Sequence, residues 1–375
     1  MAVFVLSSRK AEGEAWVSCK IPGKPTVYGT LKCEGIGPDG IPEITSSEEF
    51  TVLEVTKKSL LISCLAENVS SKFLAPYTSF PRVHQKSVTC LDVSSGGGLG
   101  VSTSADGSMK IWQTNNGEIR RVLEGHIYDV NCCTFFPSGM VVLSGGMDAQ
   151  VKIWSVEDAS CPVTFRGHKA GGNVVSSSRD GTARLWDCGK SACLAVVADC
   201  GAPINGISLG VADNAIDLGT PETPPSDREI ATEGKLLLLA REDKKLEGVS
   251  LQSRQSVFTF DGADAFNCCT FLSSVNVIGG GQDGNLYLLD LRNTKVPVQT
   301  VSKSGAPVLS LAPFREGFIA THGDGTCFVI QQDLDHVLEL TEPDCDPVYK
   351  VAVFEKCAYT CCRDGMIRKY QLTDL

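Results

Sequence analysis

The sequence predicts an all-β protein built as a closed ring of seven similar units, because one motif recurs along the chain. In each unit an Asp stands in a tight turn between two short apolar runs, and in three units a Trp follows six positions later. Alternating apolar residues joined by glycine- or asparagine-containing turns are typical of β-hairpins. The complete copies are Asp106 to Trp112, Asp148 to Trp154 and Asp180 to Trp186, and the weaker copies begin at Asp243, Asp283, Asp324 and Asp364.

A His precedes each complete copy, at His84, His126 and His168, and the last two follow a Gly. This combination of Gly-His and a later Trp resembles the WD40 repeat, whose unit is a four-stranded blade of a β-propeller. The resemblance implies a seven-bladed WD40 propeller. A buried imidazole needs partners for both nitrogens, and a turn Asp can accept from one of them. We interpret the His–Asp pairs as structural links rather than catalytic dyads, because they recur in several units without a nucleophile.

The ring needs a closing strand from the N-terminal side. The last unit stops at Leu372, just after its third strand, so its fourth strand has to come from before His84. Closure removes the sheet edge that an open array would expose. The segment 72–80 is the candidate, which divides the chain into a β-rich N-terminal appendage over 1–70 and a propeller over 71–375.

Two irregular spacings locate changes in single blades. The turn positions lie 42, 32, 63, 40, 41 and 40 residues apart, whereas a WD40 blade takes about 40–45 residues. The distance from His to Asp is 22 residues in the first two units and 12 in the third, so the third blade is predicted to lack its innermost strand. A variant transcript, a gene-model error and a real compact blade all remain open as explanations.

The longest interval contains an insertion over 212–234. It holds six acidic residues and three prolines, which predicts a mobile acidic loop. Thr220 and Thr223 each precede a Pro and are candidate sites for proline-directed phosphorylation.

Composition restricts the function. The chain of 375 residues has 34 basic and 44 acidic residues and a formal net charge of −10, which argues against a nucleic-acid partner and suits a basic protein partner. Six of the 17 Cys form three adjacent pairs and no CxxC motif is present, which indicates reduced thiols in the cytoplasm, the nucleus or both. Apolar runs are too short to span a membrane, so no membrane partner is expected.

Motifs for catalysis are weak or incomplete. The GxGxxG match at Gly279–Gly284 lies in a strand-to-strand turn with no helix after it, where dinucleotide binding would need one. We therefore expect no enzyme, no cofactor and no metal. A propeller of this kind is predicted to act as a platform for binding other proteins.

Several segments outside the generic repeat carry a more specific signal: Glu14-Ala15-Trp16, Lys72 to Tyr77, Asn131-Cys132-Cys133 and Ala240 to Lys245. They resemble the family of proteasomal ATPase-associated factors, and the likeness covers nearly the whole chain. The resemblance implies a partner among the AAA-ATPase subunits of the proteasome 19S regulatory particle, bound through their C-terminal domains. It also implies a role in regulating or chaperoning 26S proteasome assembly, by steric restraint of the bound ATPase.

The resemblance further implies an electrostatic contact between an acidic propeller and a basic ATPase domain. The candidate contact residues are those that lie on the rim loops of the last unit: Asp344, Asp346, Arg363 and Asp364. Asp364 also has a structural interpretation, because it occupies the turn of its repeat. Two other hypotheses remain: a WD40 substrate receptor or scaffold of a ubiquitin ligase, and a reader of histones or phosphopeptides in the central channel.

Overall fold

A computed structural model describes residues 3–9, 14–21, 23–81, 83–161, 173–331, 337–343 and 346–373. These residues form β-strands and turns and contain no helix. The chain begins with an antiparallel sheet in the order β1-β2-β3-β4. Its strands are β1 (Val3–Arg9), β2 (Glu14–Lys20), β3 (Val27–Ile36) and β4 (Pro42–Ser46).

A second N-terminal layer packs on the first. It consists of β5 (Phe50–Val55), β6 (Ser59–Cys64) and β7 (Val69–Leu74). The two layers share one apolar core, because alternate residues of each strand point inward. The buried members are Val17, Cys19, Leu31, Phe50, Ile62, Cys64 and Phe73.

The short strand β8 (Thr78–Phe80) leads into seven further sheets, which are the blades of the propeller. Blade one is β9 (Val88–Val93), β10 (Leu99–Ser104), β11 (Met109–Gln113) and β12 (Ile119–Leu123). Blade two is β13 (Val130–Phe135), β14 (Val141–Gly146) and β15 (Val151–Ser155). Blade three is β16 (Asn173–Ser177), β17 (Thr182–Asp187) and β18 (Ala192–Asp199).

The second half of the ring continues in the same way. Blade four is β19 (Ile204–Val211), β20 (Lys235–Arg241), β21 (Lys245–Ser250) and β22 (Ser256–Asp261). Blade five is β23 (Phe266–Phe271), β24 (Asn276–Gly281), β25 (Asn285–Asp290) and β26 (Gln299–Ser302). Blade six is β27 (Val308–Phe314), β28 (Gly317–His322), β29 (Cys327–Ile330) and β30 (Val337–Leu340). Blade seven is β31 (Val348–Phe354), β32 (Cys357–Cys362) and β33 (Ile367–Gln371), with β8 as its fourth strand.

The segment expected to close the ring divides between two blades. Residues Thr78 to Phe80 pair antiparallel with β33 in blade seven, while Lys72 to Leu74 pair in parallel with β30 of blade six. Blade six is therefore one seven-stranded sheet that continues into β7, β6 and β5. The domain boundary expected after residue 70 falls inside β7. This strand pairs with β30 because the outer edge strand of blade six has backbone N–H and C=O groups available for hydrogen bonding.

The first strand of every blade except blade three is called its inner strand. The inner strands β9, β13, β19, β23, β27 and β31 border the central channel and pack against neighbouring inner strands. In blade three the turn at Asp180 follows β16, so β16 corresponds to the second strand of other blades. Within the described part of the chain, blade three has no strand on the channel side of β16. Residues 162–172, which include His168, lie outside it.

The 212–234 insertion connects β19 to β20 and is packed against blade four. Ala212 and Ile216 are buried in the blade-four core, and Leu218 contacts the same cluster. The backbone oxygen of Leu218 accepts a hydrogen bond of 2.5 Å from Ser253 Oγ. A few apolar side chains therefore anchor the start of a segment whose other residues are mostly polar, and the mobility predicted from its composition stays a prediction.

Successive antiparallel strands place alternate connections on opposite faces of the ring. We call the face with the Asp turns and the connections into the inner strands the top face. The opposite face, which carries the 212–234 insertion, is called the bottom face.

Candidate partner-binding surfaces

The most complete side-chain hydrogen-bond network lies at the top of blade two. His126 Nδ1 lies 2.9 Å from Asp148 Oδ2, and His126 Nε2 lies 2.7 Å from Ser144 Oγ. Trp154 Nε1 donates to the same Ser144 oxygen at 2.8 Å. Burial by itself raises the pKa of Asp148. Hydrogen bonds from His126 and from the backbone outweigh this effect and hold the pKa below its ordinary value. Every member of the network is occupied in holding strands together, so none is available as a free acid or base.

Blades one and three use variants of this network. His84 Nδ1 contacts Ser108 Oγ at 3.0 Å rather than Asp106, and His84 Nε2 contacts Ser102 Oγ at 2.8 Å. The expected His84–Asp106 hydrogen bond is absent, and Ser108 Oγ is the partner of the imidazole nitrogen that contacts the carboxylate in blade two. In blade three Trp186 Nε1 donates to Ser176 Oγ at 2.8 Å, while His168 lies outside the described residues.

The turn Asp residues otherwise bond within their own hairpins. Six of the seven accept the backbone N–H two residues later through Oδ1, at distances from 2.8 to 3.1 Å. They are Asp106, Asp148, Asp180, Asp283, Asp324 and Asp364. Asp243 instead pairs with Arg241 Nη2 at 2.6 Å. An Asp at this position closes the turn whether or not a His is nearby.

The candidate contact residues of blade seven are partly neutralised by ion pairs within the chain. Asp346 Oδ1 lies 2.8 Å from Arg363 Nη2, and Asp364 Oδ2 lies 2.5 Å from Arg368 Nη2. Burial lowers the pKa of Arg368, but the bond to Asp364 raises it to above the usual value. Asp344 lies outside the described residues. Arg368 was missed from the sequence, although its position four residues after Asp364 places it on the strand that follows the turn.

The bottom face carries a cluster of exposed acidic residues from the insertion. Four acidic residues of the insertion are exposed, and none of them forms an ion pair with another described residue. A fifth, Glu229, is paired with Arg254 at 2.6 Å. The exposed residues are Asp217, Glu222, Asp227 and Glu233. Because the remainder of the insertion is anchored on blade four, these carboxylates are presented from a fixed platform.

The central channel carries little charge. The six inner strands contain two charged residues, Asp92 and Lys350, and no Arg. Recognition of a phosphopeptide commonly depends on a cluster of Arg side chains. The inner strands thus give no support to phosphopeptide reading.

The thiols beside the channel are poor nucleophiles. Burial raises the pKa of Cys132 to about 11 and that of Cys268 to about 12, so both stay protonated near neutral pH. Cys90 differs, because a hydrogen bond with Cys133 lowers its pKa to about 7 with help from Lys350. Cys90 is nevertheless only 5% exposed, which denies a substrate access to the sulfur.

The described residues contain no group of three or more His, Cys, Asp and Glu side chains that could hold a metal ion. Nor do they include a helix of the length and hydropathy required to cross a membrane. The described residues form a ring of blades, and exposed acidic residues of the insertion lie on its bottom face.

Comparison with known proteins first defines the class. The family model "WD domain, G-beta repeat" matches residues 76–113, 117–155 and 159–187, which are the units with complete motifs. Together with the ring of antiparallel sheets, this match makes the protein a WD40-repeat β-propeller.

Full-length relatives then define the family. The chain is 71% identical to proteasomal ATPase-associated factor 1 of Gallus gallus over 377 residues, covering 98% of this chain and 96% of the relative. It is 68% identical to the Homo sapiens protein of that name with the same coverage. Identity to the probable proteasomal ATPase-associated factor 1 of Dictyostelium discoideum is 29% over 97% of this chain and 93% of the relative. The chain belongs to the proteasomal ATPase-associated factor family.

Proposed function

We propose that the protein is a non-catalytic platform that binds AAA-ATPase subunits of the proteasome 19S regulatory particle through their C-terminal domains. The observation that carries this proposal is the near full-length identity to proteins named as factors associated with the proteasomal ATPases. In this proposal the bound propeller regulates or chaperones 26S assembly sterically, because an ATPase held on the ring cannot dock fully on the proteolytic core. The cytoplasmic location expected from the sequence stays a prediction.

We further propose that the exposed acids of the insertion steer the ATPase domain toward the bottom face. Unpaired carboxylates on a fixed loop act on an approaching basic domain over roughly a Debye length, about 8 Å at physiological ionic strength. On the top face, Asp346 and Asp364 already share their charge with Arg363 and Arg368. The blade-seven cluster, including Asp344, is the second candidate surface.

Binding kinetics with purified C-terminal domains of the ATPase subunits test both surfaces. One variant combines Asp217→Lys, Glu222→Lys, Asp227→Lys and Glu233→Lys, and a second combines Asp344→Lys with Asp346→Lys. Reversing a steering surface slows association and flattens its dependence on salt. We expect this result for the insertion variant and an unchanged rate for the top-face variant.

A matched control separates local steering from total charge. Four exposed acids of the N-terminal sheets, reversed together, change the net charge by the same amount as the insertion variant. They are Glu34, Glu43, Glu48 and Glu54. Equal slowing by this control would reject the insertion as the site. Failure of the unmodified chain to bind any ATPase C-terminal domain would reject the proposed function. Affinity purification that recovers ubiquitin-ligase subunits instead would favour the alternative role as a substrate receptor.

A further inference from the structure

One backbone hydrogen bond recurs in six blades and is missing in the third. The residue just before the turn Asp donates its N–H to the carbonyl oxygen just before the inner strand, at distances from 2.7 to 3.1 Å. The pairs are Ala105 to Ser87, Met147 to Asp129, Glu242 to Pro203, Gln282 to Ala265, Gly323 to Pro307 and Arg363 to Pro347. In blade three the corresponding donor is Arg179, whose N–H has no partner among the described residues.

Two further residues on the channel side of β16 share this condition among the described residues, whereas the carbonyl oxygen of Ser178, just after β16, accepts from Ile204 N at 3.3 Å. Ser178 N donates to Thr182 O at 3.0 Å, on the side of β17. Because successive residues of a strand direct their N–H and C=O groups to alternate sides, Val175 and Ser177 direct theirs toward the channel. Among the described residues β16 pairs only with β17, so these groups have no strand partner in that part of the chain.

The residues of β16 are less buried than those of most second strands. All five residues of β16 are half-buried. The second strands of blades one, four, five, six and seven are almost completely buried beneath their inner strands. Blade three therefore exposes a surface that the fold normally covers.

The neighbouring inner strands supply the walls of the opening. Each inner strand has a register shift at its second residue, and three of these residues donate a side-chain hydrogen bond to the first carbonyl of the next inner strand. The donor and acceptor pairs are Thr89 and Val130, Asn205 and Phe266, and Asn267 and Val308, at 3.4, 3.0 and 3.1 Å. Asn131 faces blade three, is exposed, and its side chain has no partner among the described residues.

We propose that this opening binds an extended segment of another polypeptide, which adds to β16 as the inner strand of blade three. Only a polypeptide backbone repeats donors and acceptors at the spacing that Val175, Ser177 and Arg179 present. The Asn131 amide donates to the first carbonyl of the added strand. The site and its ligand are independent of the acidic surface proposed above.

The six inner strands of the chain indicate which sequence fits. Their first residue is always apolar and buried, at most 4% exposed, and their fourth is apolar or Cys. The third is Cys, Gly or Ser in five strands. The partner segment is therefore about six residues of strand, apolar at its first and fourth positions and small at its third, without Pro at a position that donates to β16.

A peptide copied from blade one is the direct probe. Fluorescein-labelled peptide with the sequence of Gln85 to Ser94 and Cys90→Ala is titrated with the full chain and followed by anisotropy. We expect saturable binding with one peptide per chain. The same peptide with Cys90→Pro loses the N–H that faces the second strand and should bind at least tenfold more weakly.

Two chain variants test whether the peptide occupies blade three. Insertion of a second copy of Gln85–Ser94 after His168 restores the 22-residue spacing and should abolish binding while retaining cooperative melting. Val175→Pro should weaken binding at least tenfold with little change in melting temperature, because the N–H of Val175 has no partner among the described residues. Val101→Pro, the same change where the strand pairs with β9, should lower the melting temperature.

Hydrogen exchange supplies a readout independent of affinity. The amides of Val175, Ser177 and Arg179 should exchange rapidly in the free chain and slowly with the peptide bound. Protection already present in the free chain, absence of saturable binding, or equal binding by the insertion variant would overturn the proposal. A dimer in sedimentation that the insertion abolishes would assign the edge to a second copy and would also overturn it.

Discussion

Replacing Asp148 by Ala should destabilise the protein by about 3 kcal/mol. The carboxylate accepts from His126 Nδ1 at 2.9 Å and from Gln150 N at 3.1 Å, and the His126 and Asp148 side chains are both 2% exposed. A buried donor left without an acceptor costs about 1–3 kcal/mol, and loss of the turn hydrogen bond adds about 1 kcal/mol. Asp148→Asn keeps an acceptor oxygen and should cost less.

The equivalent substitution in blade one is the matched control. Asp106 accepts the turn N–H of Ser108 at 2.8 Å but makes no hydrogen bond to His84, so Asp106→Ala should cost about 1 kcal/mol. For cooperative unfolding of 375 residues, an entropy of roughly 2.1 cal/mol/K per residue makes 1 kcal/mol about 1 °C. Thermal melts and urea titrations should therefore separate the two variants by about 2–3 °C. Equal destabilisation of the two variants would refute the role assigned to the His126–Asp148 contact.

Three other predictions follow from buried groups. Burial lowers the pKa of both His84 and His322 to about 4, so the unfolded state binds more protons than the folded state between about pH 6.5 and pH 4. Stability should therefore fall as the pH drops through that window, by up to roughly 3 kcal/mol for each His, and His322→Leu should flatten the profile measured by urea titration. Phe80 is 3% exposed, and its ring centroid lies 5.5 Å from that of Trp112. Phe80→Ala should therefore lower the free energy of unfolding by about 3–5 kcal/mol, because it opens the contact that closes the ring between blades seven and one. A thermal melt unchanged from wild type would contradict that role. Lys303 and Glu339 form a buried ion pair between blades five and six. Lys303→Met should lower the free energy of unfolding by about 3–5 kcal/mol, because it leaves Glu339 without its partner. Adding Glu339→Leu should recover most of that loss, as measured by urea titration.

Repeat spacing was sufficient to predict the sheet architecture because it reflects local chemistry. A turn Asp two residues before a backbone donor, followed by alternating apolar residues, specifies a hairpin wherever it occurs. Trp112 and Trp154 are fully buried, as expected for side chains that fill the space between blades. The shortened distance after His168 likewise pointed to blade three, since too few residues are present for another strand and turn.

The hydrogen-bond and ion-pair partners of individual side chains were harder to predict from the sequence. His126 contacts Asp148 in blade two, whereas His84 contacts Ser108 in blade one, and the repeat pattern shared by the two blades does not distinguish these partners. The pairing of Asp364 with Arg368 neutralises a residue that its loop position alone marks as a contact candidate. For the insertion, composition describes average polarity, whereas anchoring depends on where Ile216 meets a core formed by distant strands.

The sequence by itself determined the number of blades, the place of the shortened one and the family, because these depend on residues close together along the chain. Tertiary structure decided which strand closes the ring, since Leu74 and Phe80, six residues apart, pair with different blades. It also decided that an edge of β16, left without a strand partner among the described residues, lies between β13 and β19. Such an edge is defined by what does not pair with it, and pairing between distant strands is a property of the folded chain.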